Sequence, residues 1–437
     1  MKFSSNQISW LNILVFSVVV LKTMLLLVIF PWLLPKLGNS FQAGLFPDGY
    51  GDIASNLIAG NGYRMYDDTS LTMLRSPGFV LVLASLFLFF GKSLFAVQVM
   101  QLLMSLATAA IIYFLTNRLF KTQSISVVAS LIFLFHPGVL IAETRGGIES
   151  TLMLCFTGCI ALSYLVLDHP KWRNFIYFGI AFGLTMLVKS SVAIYFPALV
   201  VIALWWKPKG LSVSTLLSRF AAAGLISLTI MSPWIIRNYN ISGQFVPTMT
   251  VGGLALFQGA YLVKNAESEK DSYVLLNEAA DKQIKIAHEM NLKIHEDFFP
   301  QFYSPNDEIN YYNQLGRLAI NDYRESPWLL FKAIEHNSWA FWFQGRTERA
   351  TMLNIILTAP ILILMIWGSV LALKVTRDTW LLLVALFAFI APHLLILSMA
   401  RYHIILVPLI SVLVAVSVIH CWQLLKTRHL KPNGLSL

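Results

Sequence analysis

The sequence predicts an all-α, polytopic membrane protein, and three observations carry that expectation. Of 437 residues, 57% are hydrophobic and only 12% are charged, whereas a soluble domain carries roughly 25% charged residues. Apolar stretches long enough to cross a hydrocarbon core of about 30 Å recur along the whole chain. The basic residues between them fall in alternate loops, the distribution that membrane insertion imposes.

Spans are expected near 10–34, 93–116, 124–142, 147–168, 216–236, 353–374, 379–400 and 403–423. The first follows Lys2, is too long for a signal-peptide core and lacks a small-x-small cleavage site, so a retained span is expected there. The apolar block 174–206 is too long for one span and is interrupted at Lys189-Ser190-Ser191. Two short helices turning back at Lys189 fit it better, which brings the total to about ten spans. Pro77 to Phe90 is apolar but only 14 residues long. That length suits a re-entrant or interfacial helix.

Loop charge tests this reading. With 77–90 excluded and both termini cytoplasmic, the short inner loops hold Arg118 and Lys121, Lys171 and Arg173, and Lys207, Lys209 and Arg219. Lys374 and Arg377, then Lys426, Arg428 and Lys431, complete the inner set. All are basic, as the positive-inside rule requires. Counting 77–90 as a span would reverse every later loop and destroy the pattern.

The outer face then holds two extended segments. A first loop, 36–92, belongs to an N-terminal membrane domain, 1–237. An extracytoplasmic segment, 238–352, precedes the C-terminal membrane helices, 353–437. Its polar middle, 266–310, reads as a small soluble insertion with helical periodicity over 277–291. Its end, 311–343, is amphipathic and aromatic and is expected to lie along the membrane surface.

The net charge of +10 is accounted for by these inner loops, so nucleic acid is not an expected partner. Cys155, Cys159 and Cys421 lie in apolar stretches and suit packing, not a disulfide or a metal set. His136, His336, His393 and His403 are isolated in sequence. No metal or cofactor is expected.

The outer face collects the residues capable of chemistry. Asp48 lies in Phe46-Pro47-Asp48-Gly49-Tyr50-Gly51-Asp52, a glycine-loosened turn entering a short helix. Four apart, Asp48 and Asp52 would share a helix face; an N-cap at Asp48 and a solvated Asp52 are the structural alternative. Arg75 starts the 77–90 run, and Arg145 sits in the turn Glu143-Thr144-Arg145-Gly146-Gly147-Ile148-Glu149. Lys189 interrupts an apolar block, where a lysine is expensive. Arg237 follows Ser232-Pro233-Trp234, and Arg401 opens the last span. Snorkelling at the interface is the alternative reading for each cation. Taken together, cations suit a phosphate, a carboxylate suits a general base, and interfacial helices suit a lipid tail.

These residues carry a resemblance. The acidic loop Pro47-Asp48 to Tyr63, the Arg75-Ser76-Pro77-Gly78-Phe79 element and the Gly179…Gly183-Leu184…Leu187-Val188-Lys189 block occur in that order. Ser232-Pro233-Trp234…Arg237-Asn238…Gly243 and Arg401-Tyr402-His403…Pro408 follow. The chain resembles the GT-C class of membrane glycosyltransferases, among them bacterial relatives of dolichyl-phosphate-mannose–protein mannosyltransferases and of the lipid A aminoarabinose transferase. The resemblance implies a polyprenyl-phosphate sugar donor and a protein, lipid or glycan acceptor. It implies inverting transfer of a hexosyl or pentosyl group at the outer face of a bacterial plasma membrane. Asp48 matches the family's catalytic first-loop aspartate. Arg75 and Lys189 match positions that hold the lipid phosphate, and Asp52, Arg145, Arg237 and Arg401 become further substrate-binding candidates. One departure matters. Relatives often carry Asp-Glu, or an aspartate four residues before the tyrosine, whereas Asp48 precedes Gly49 and lies two before Tyr50. The base is therefore Asp48 or Asp52, with Asp48 favoured.

Two other classes compete. A lipid-linked sugar flippase or transporter would also show intramembrane charges and broken helices, but it would place them at the midplane. An O-antigen ligase or polymerase would carry its main outer loop late in the chain, without the first-loop aspartate.

Overall fold

The computed structural model describes residues 16–33, 36, 47–206, 211–266, 272–295, 299–345 and 347–429. The start of the first span, Phe46, Lys207, Lys209, Lys431 and parts of 266–310 lie outside these residues. Among the described residues the protein is helical apart from one two-stranded ribbon.

Among the described residues, six helices are long and apolar enough to cross a membrane: Phe16–Leu33 (α1), Leu94–Phe120 (α4), Glu149–Asp168 (α7), Val213–Ser242 (α10), Glu348–Val375 (α15) and the 3-10 and α-helical run Ala400–Lys426. The α-helical part of that last run begins at Val407 and continues to His429 (α17). The pair Gln123–Leu134 (α5) and Pro137–Arg145 (α6), bent by 46° at His136-Pro137, is long and apolar enough to make a seventh when taken as one span. The proline restricts the residue before it to extended backbone, and the bend follows; His136 then caps α6 by accepting from the Gly138 N–H. Three further apolar helices are shorter: Trp172–Val188 (α8), Tyr195–Trp206 (α9) and Thr379–His393 (α16). All three are shorter than the length of about 20 residues that a span needs. Tyr50–Ile58 (α2) and Pro77–Phe90 (α3) are the helices of the first loop, and α3 has the expected 14 residues.

Close backbone approaches fix the packing. A Cβ on Gly179 or Gly183 of α8 would meet the Ala223 and Ser227 carbonyl oxygens of α10 at 2.6 and 2.9 Å. Ser227 Oγ donates to the Gly179 carbonyl at 2.8 Å. This is small-residue packing of the kind membrane helices use. Gly78 of α3 meets the Leu187 and Val188 backbone at the end of α8, where a Cβ would stand 2.8 Å away. That approach seats the start of α3 on the end of α8, just ahead of Lys189.

The 238–352 segment folds as four helices and the ribbon. Gly252–Lys264 (α11) and Ser272–Glu289 (α12) precede strands Lys293–Ile294 (β1) and Pro300–Gln301 (β2), paired antiparallel with Lys293 opposite Gln301. Pro305–Glu325 (α13) starts at a capping box formed by Ser304 and Asp307, and Trp328–Phe343 (α14) follows. Here the structure corrects one expectation. The 311–343 stretch is not a single surface-lying element, because α13 packs on α11 and buries Tyr311 and Tyr312. Only α14 keeps a broad apolar exposure, with Trp328 and Phe331 more than 60% exposed.

A fully buried ion pair ties the first span to the bent pair. Lys22 Nζ lies 2.6 Å from Glu143 Oε2 and donates to the Leu134 carbonyl at 2.7 Å. The carbonyl at the end of α5 is available because the helix stops before Pro137. At the opposite end of α7, Arg118 reaches both Asp168 and Asp378, joining α4, α7 and α16.

Removing one partner of a buried pair leaves an uncompensated charge and costs about 3–5 kcal/mol. Lys22→Met is expected to lower the unfolding midpoint of the purified protein in detergent. The double variant Lys22→Met, Glu143→Leu is expected to recover most of that loss, and equal losses in the two variants would contradict the pairing.

Candidate active site

Asp48 lies just before α2 in a turn of unusual backbone. Its φ and ψ are 67° and 20°, and Gly49 follows at 77° and 6°. Left-handed backbone is uncommon outside glycine, and aspartate is among the residues that tolerate it. Gly49, not Asp48, occupies the N-cap of α2, and no side chain caps the helix. The shared helix face proposed for Asp48 and Asp52 therefore does not form. Asp52 turns outward and pairs with Lys92 at 3.0 Å, both side chains about half exposed.

Cations converge on Asp48. Arg75 Nε donates to its main-chain carbonyl at 2.9 Å. Arg401 Nη1 lies 3.4 Å from its Oδ2. Arg75 also stands over the Tyr50 ring, 5.5 Å from the centroid. Tyr50 packs edge-on against Phe79 of α3, and burial pushes its hydroxyl up to about 12. Lys189 sits at the break between α8 and the next short helix, 4.8 Å from the Tyr402 ring. Arg401 approaches the same ring at 5.3 Å. Lys189 feels the charges of Asp48, Glu149 and Arg401.

The structure thus brings Asp48, Arg75, Lys189 and Arg401 together. Arg237 takes a different place. Its Nη1 donates to the Thr72 carbonyl at 2.8 Å and to Asn238 Oδ1 at 3.0 Å, and its Nη2 to the Tyr63 carbonyl at 3.3 Å. Its guanidinium also faces the Tyr63 and Trp234 rings. Arg145 ends α6, ahead of the Gly146-Gly147 turn that leads into Glu149. Among the described residues no group of three or more His, Cys, Asp or Glu side chains gathers as a metal site.

Three further residues enter the site from elements that the sequence reading used otherwise. Tyr402 stands between Lys189 and Arg401, and Glu149, at the first turn of α7, adds a second carboxylate to the field. Glu308 of α13 is fully buried and accepts from Thr72 Oγ1 at 2.6 Å, from the Met73 N–H at 3.0 Å and from Thr250 Oγ1 at 2.5 Å. Burial raises its carboxyl above the ordinary range, while these donors and Arg237 pull it down. Tyr402 and Glu149 were visible in quoted motifs; Glu308 had no local signal.

The loop itself is tied by the residues of its motif. Asn56 Nδ2 reaches the Arg64 and Met65 carbonyls, Asn61 donates to Asn56 Oδ1 at 2.9 Å, and Tyr63 OH donates to the Arg75 carbonyl at 3.0 Å. Trp234 Nε1 donates to the Thr248 carbonyl at 2.7 Å and its ring packs on Tyr63. The conformational demand is greatest at Gly49, where a Cβ would stand 2.2 Å from the Met65 side chain in addition to the positive φ. Gly60 has φ +83° but nothing within 4 Å. Gly49→Ala is therefore expected to lower the thermal midpoint more than Gly60→Ala, by a margin of about 1–3 kcal/mol. Equal midpoints would contradict the tight turn.

Residues 75–236 match the family model described as dolichyl-phosphate-mannose-protein mannosyltransferase. Undecaprenyl phosphate-alpha-4-amino-4-deoxy-L-arabinose arabinosyl transferases of Yersinia pestis and Yersinia pseudotuberculosis are 25% identical over 149 residues, 33% of this chain. The match spans only 26% of the length of these curated relatives. Among solved structures, the archaeal oligosaccharyltransferase AglB from Archaeoglobus fulgidus, in complex with an inhibitory peptide and a dolichol-phosphate, aligns with a TM-score of 0.53 at 14% identity. That alignment covers 99% of this chain and 53% of AglB. ArnT from Cupriavidus metallidurans bound to undecaprenyl phosphate aligns with a TM-score of 0.42 at 15% identity, covering 97% of this chain and 81% of ArnT. In fold, and in the sequence of residues 75–236, the chain is similar to the GT-C class of membrane glycosyltransferases, the class its motifs indicated.

Proposed function

We propose that this protein transfers a sugar from a polyprenyl-phosphate donor to an acceptor hydroxyl at the extracytoplasmic face of a bacterial plasma membrane. The observation that carries the proposal is the gathering of Asp48, Arg75, Lys189 and Arg401 at one corner of the helical bundle. The likeness to lipid-phosphate-dependent transferases supports the same reading. The basic residues of the alternate loops support an orientation with this corner outside and both termini cytoplasmic.

In this reading Asp48 is the general base. Its carboxylate takes the proton of the acceptor hydroxyl as that oxygen attacks the anomeric carbon. The bond from the anomeric carbon to the phosphate oxygen breaks, and the phosphate leaves with the electron pair. Charge develops on that oxygen, where Arg75 and Lys189 stabilise it. The attack comes from the face opposite the leaving phosphate, so one displacement inverts the configuration. Arg401 pairs with Asp48 at rest and holds its carboxylate in place. The 238–352 segment, packed over the first loop, supplies the acceptor side, and the sugar is a hexose or a pentose. Arg237 supports the site through the loop carbonyls it holds. A transport path is disfavoured because these charges sit at helix ends and not at mid-span.

Asp48→Asn is expected to lower sugar transfer from a polyprenyl-phosphate donor by at least about 10²-fold while membrane insertion and the thermal midpoint stay unchanged. Nuclear magnetic resonance of the product is expected to show an inverted anomeric centre. Full activity of Asp48→Asn, or retention of configuration, would contradict the assignment.

A further inference from the structure

Glu308 lies on α13, 236 positions beyond the loop residue that it binds. Its carboxylate accepts from two hydroxyls and one backbone N–H, and two of these three donors belong to Thr72 and Met73. Thr72 Oγ1 in turn accepts from the Leu74 N–H at 2.9 Å. The carbonyl groups of the same segment are held as well. Arg237 takes the Thr72 carbonyl and the Thr250 N–H takes the Met73 carbonyl at 3.1 Å. The next residue along the chain is Arg75, whose Nε closes the Asp48 turn.

A carboxylate accepts at both oxygens and donates at neither, so it satisfies all these donors at once; an amide offers one acceptor oxygen. Burying a carboxylate is costly, and an apolar side chain would fill the same space without that cost. The geometry of its partners gives the charge a purpose that packing does not. Resting on the proposed role of Arg75 at the lipid phosphate, we infer that Glu308 is a positioning residue for donor binding. By clamping residues 72–74 it sets Arg75, and it makes capture of the lipid phosphate depend on the 238–352 segment being seated on the first loop.

The test is a double-mutant cycle on the full-length protein in lipid nanodiscs, with undecaprenyl phosphate as the probe. Arg75→Ala is expected to weaken its binding by at least tenfold, and Glu308→Ala by roughly tenfold. The double variant is expected to bind no more weakly than Arg75→Ala alone, because Glu308 acts through Arg75. In turnover, Glu308→Ala is expected to raise the donor KM while kcat at saturating donor holds, and Glu308→Gln to recover part of the loss. A merely structural role would lower the active fraction and leave KM in place. Wild-type affinity in Glu308→Ala, or additive losses in the double variant, would overturn the inference. An Arg75→Ala variant with wild-type affinity would instead remove the phosphate role of Arg75, and the inference with it. If Glu308→Ala does not fold, Thr72→Val carries the same cycle, with a smaller loss that is again absorbed by Arg75→Ala; additivity there overturns it equally.

Discussion

Asp48 occupies left-handed backbone at φ 67°, and the turn persists because its neighbours determine it from several sides. Arg75 ties its carbonyl, Arg401 faces its carboxylate, and Gly49 leaves room for Met65 where any larger residue would collide. Strained backbone of this kind survives only where the surrounding structure over-determines it. The Asp48 backbone is therefore held by Arg75, just before α3, and its carboxylate faces Arg401 of the 3-10 turn at Ala400–Leu406. Gly78 lets the start of α3 seat on the backbone at the end of α8, and Gly179 and Gly183 let α8 seat on α10.

The bundle arranges its charges by depth. At one end, Arg118 binds two aspartates and holds three helices together. Within the bundle, Lys22 and Glu143 neutralise each other where an isolated charge would be prohibitive. At the other end, Arg75, Lys189 and Arg401 outnumber the nearby carboxylates of Asp48 and Glu149. The same helical scaffold thus holds three helices together at one end and gathers cations at the other, where the 238–352 segment reaches the first loop through Glu308.

Much of this was legible before any coordinates. The apolar run 77–90 is a helix of the expected 14 residues, and Lys189 stood out because a lysine inside an apolar block is expensive. Asp48 and Arg75 were found by residue type within a recognisable order of motifs. Other features were hidden for physical reasons. A four-residue spacing implies a shared face only if both residues are helical, and the left-handed turn at Asp48 removed that premise, sending Asp52 to Lys92 instead. Amphipathic periodicity in 311–343 marked an apolar face but not its partner, so Tyr311 and Tyr312 proved to be covered by protein. Glu308 depends on a contact between distant segments and leaves no local pattern. Lys22 lies in an apolar run that is long enough to hide one charge, and its partner looked like a turn residue.

The account centres on one claim, that the corner formed by Asp48, Arg75 and Lys189 is where a lipid-linked phosphate binds. A cryo-electron microscopy structure of the protein in nanodiscs with undecaprenyl phosphate tests it most directly. The phosphate is expected within hydrogen-bonding distance of Arg75 and Lys189, with the lipid tail leaving along the membrane-facing side of α3. A phosphate bound elsewhere, with this corner occupied only by solvent, would contradict it.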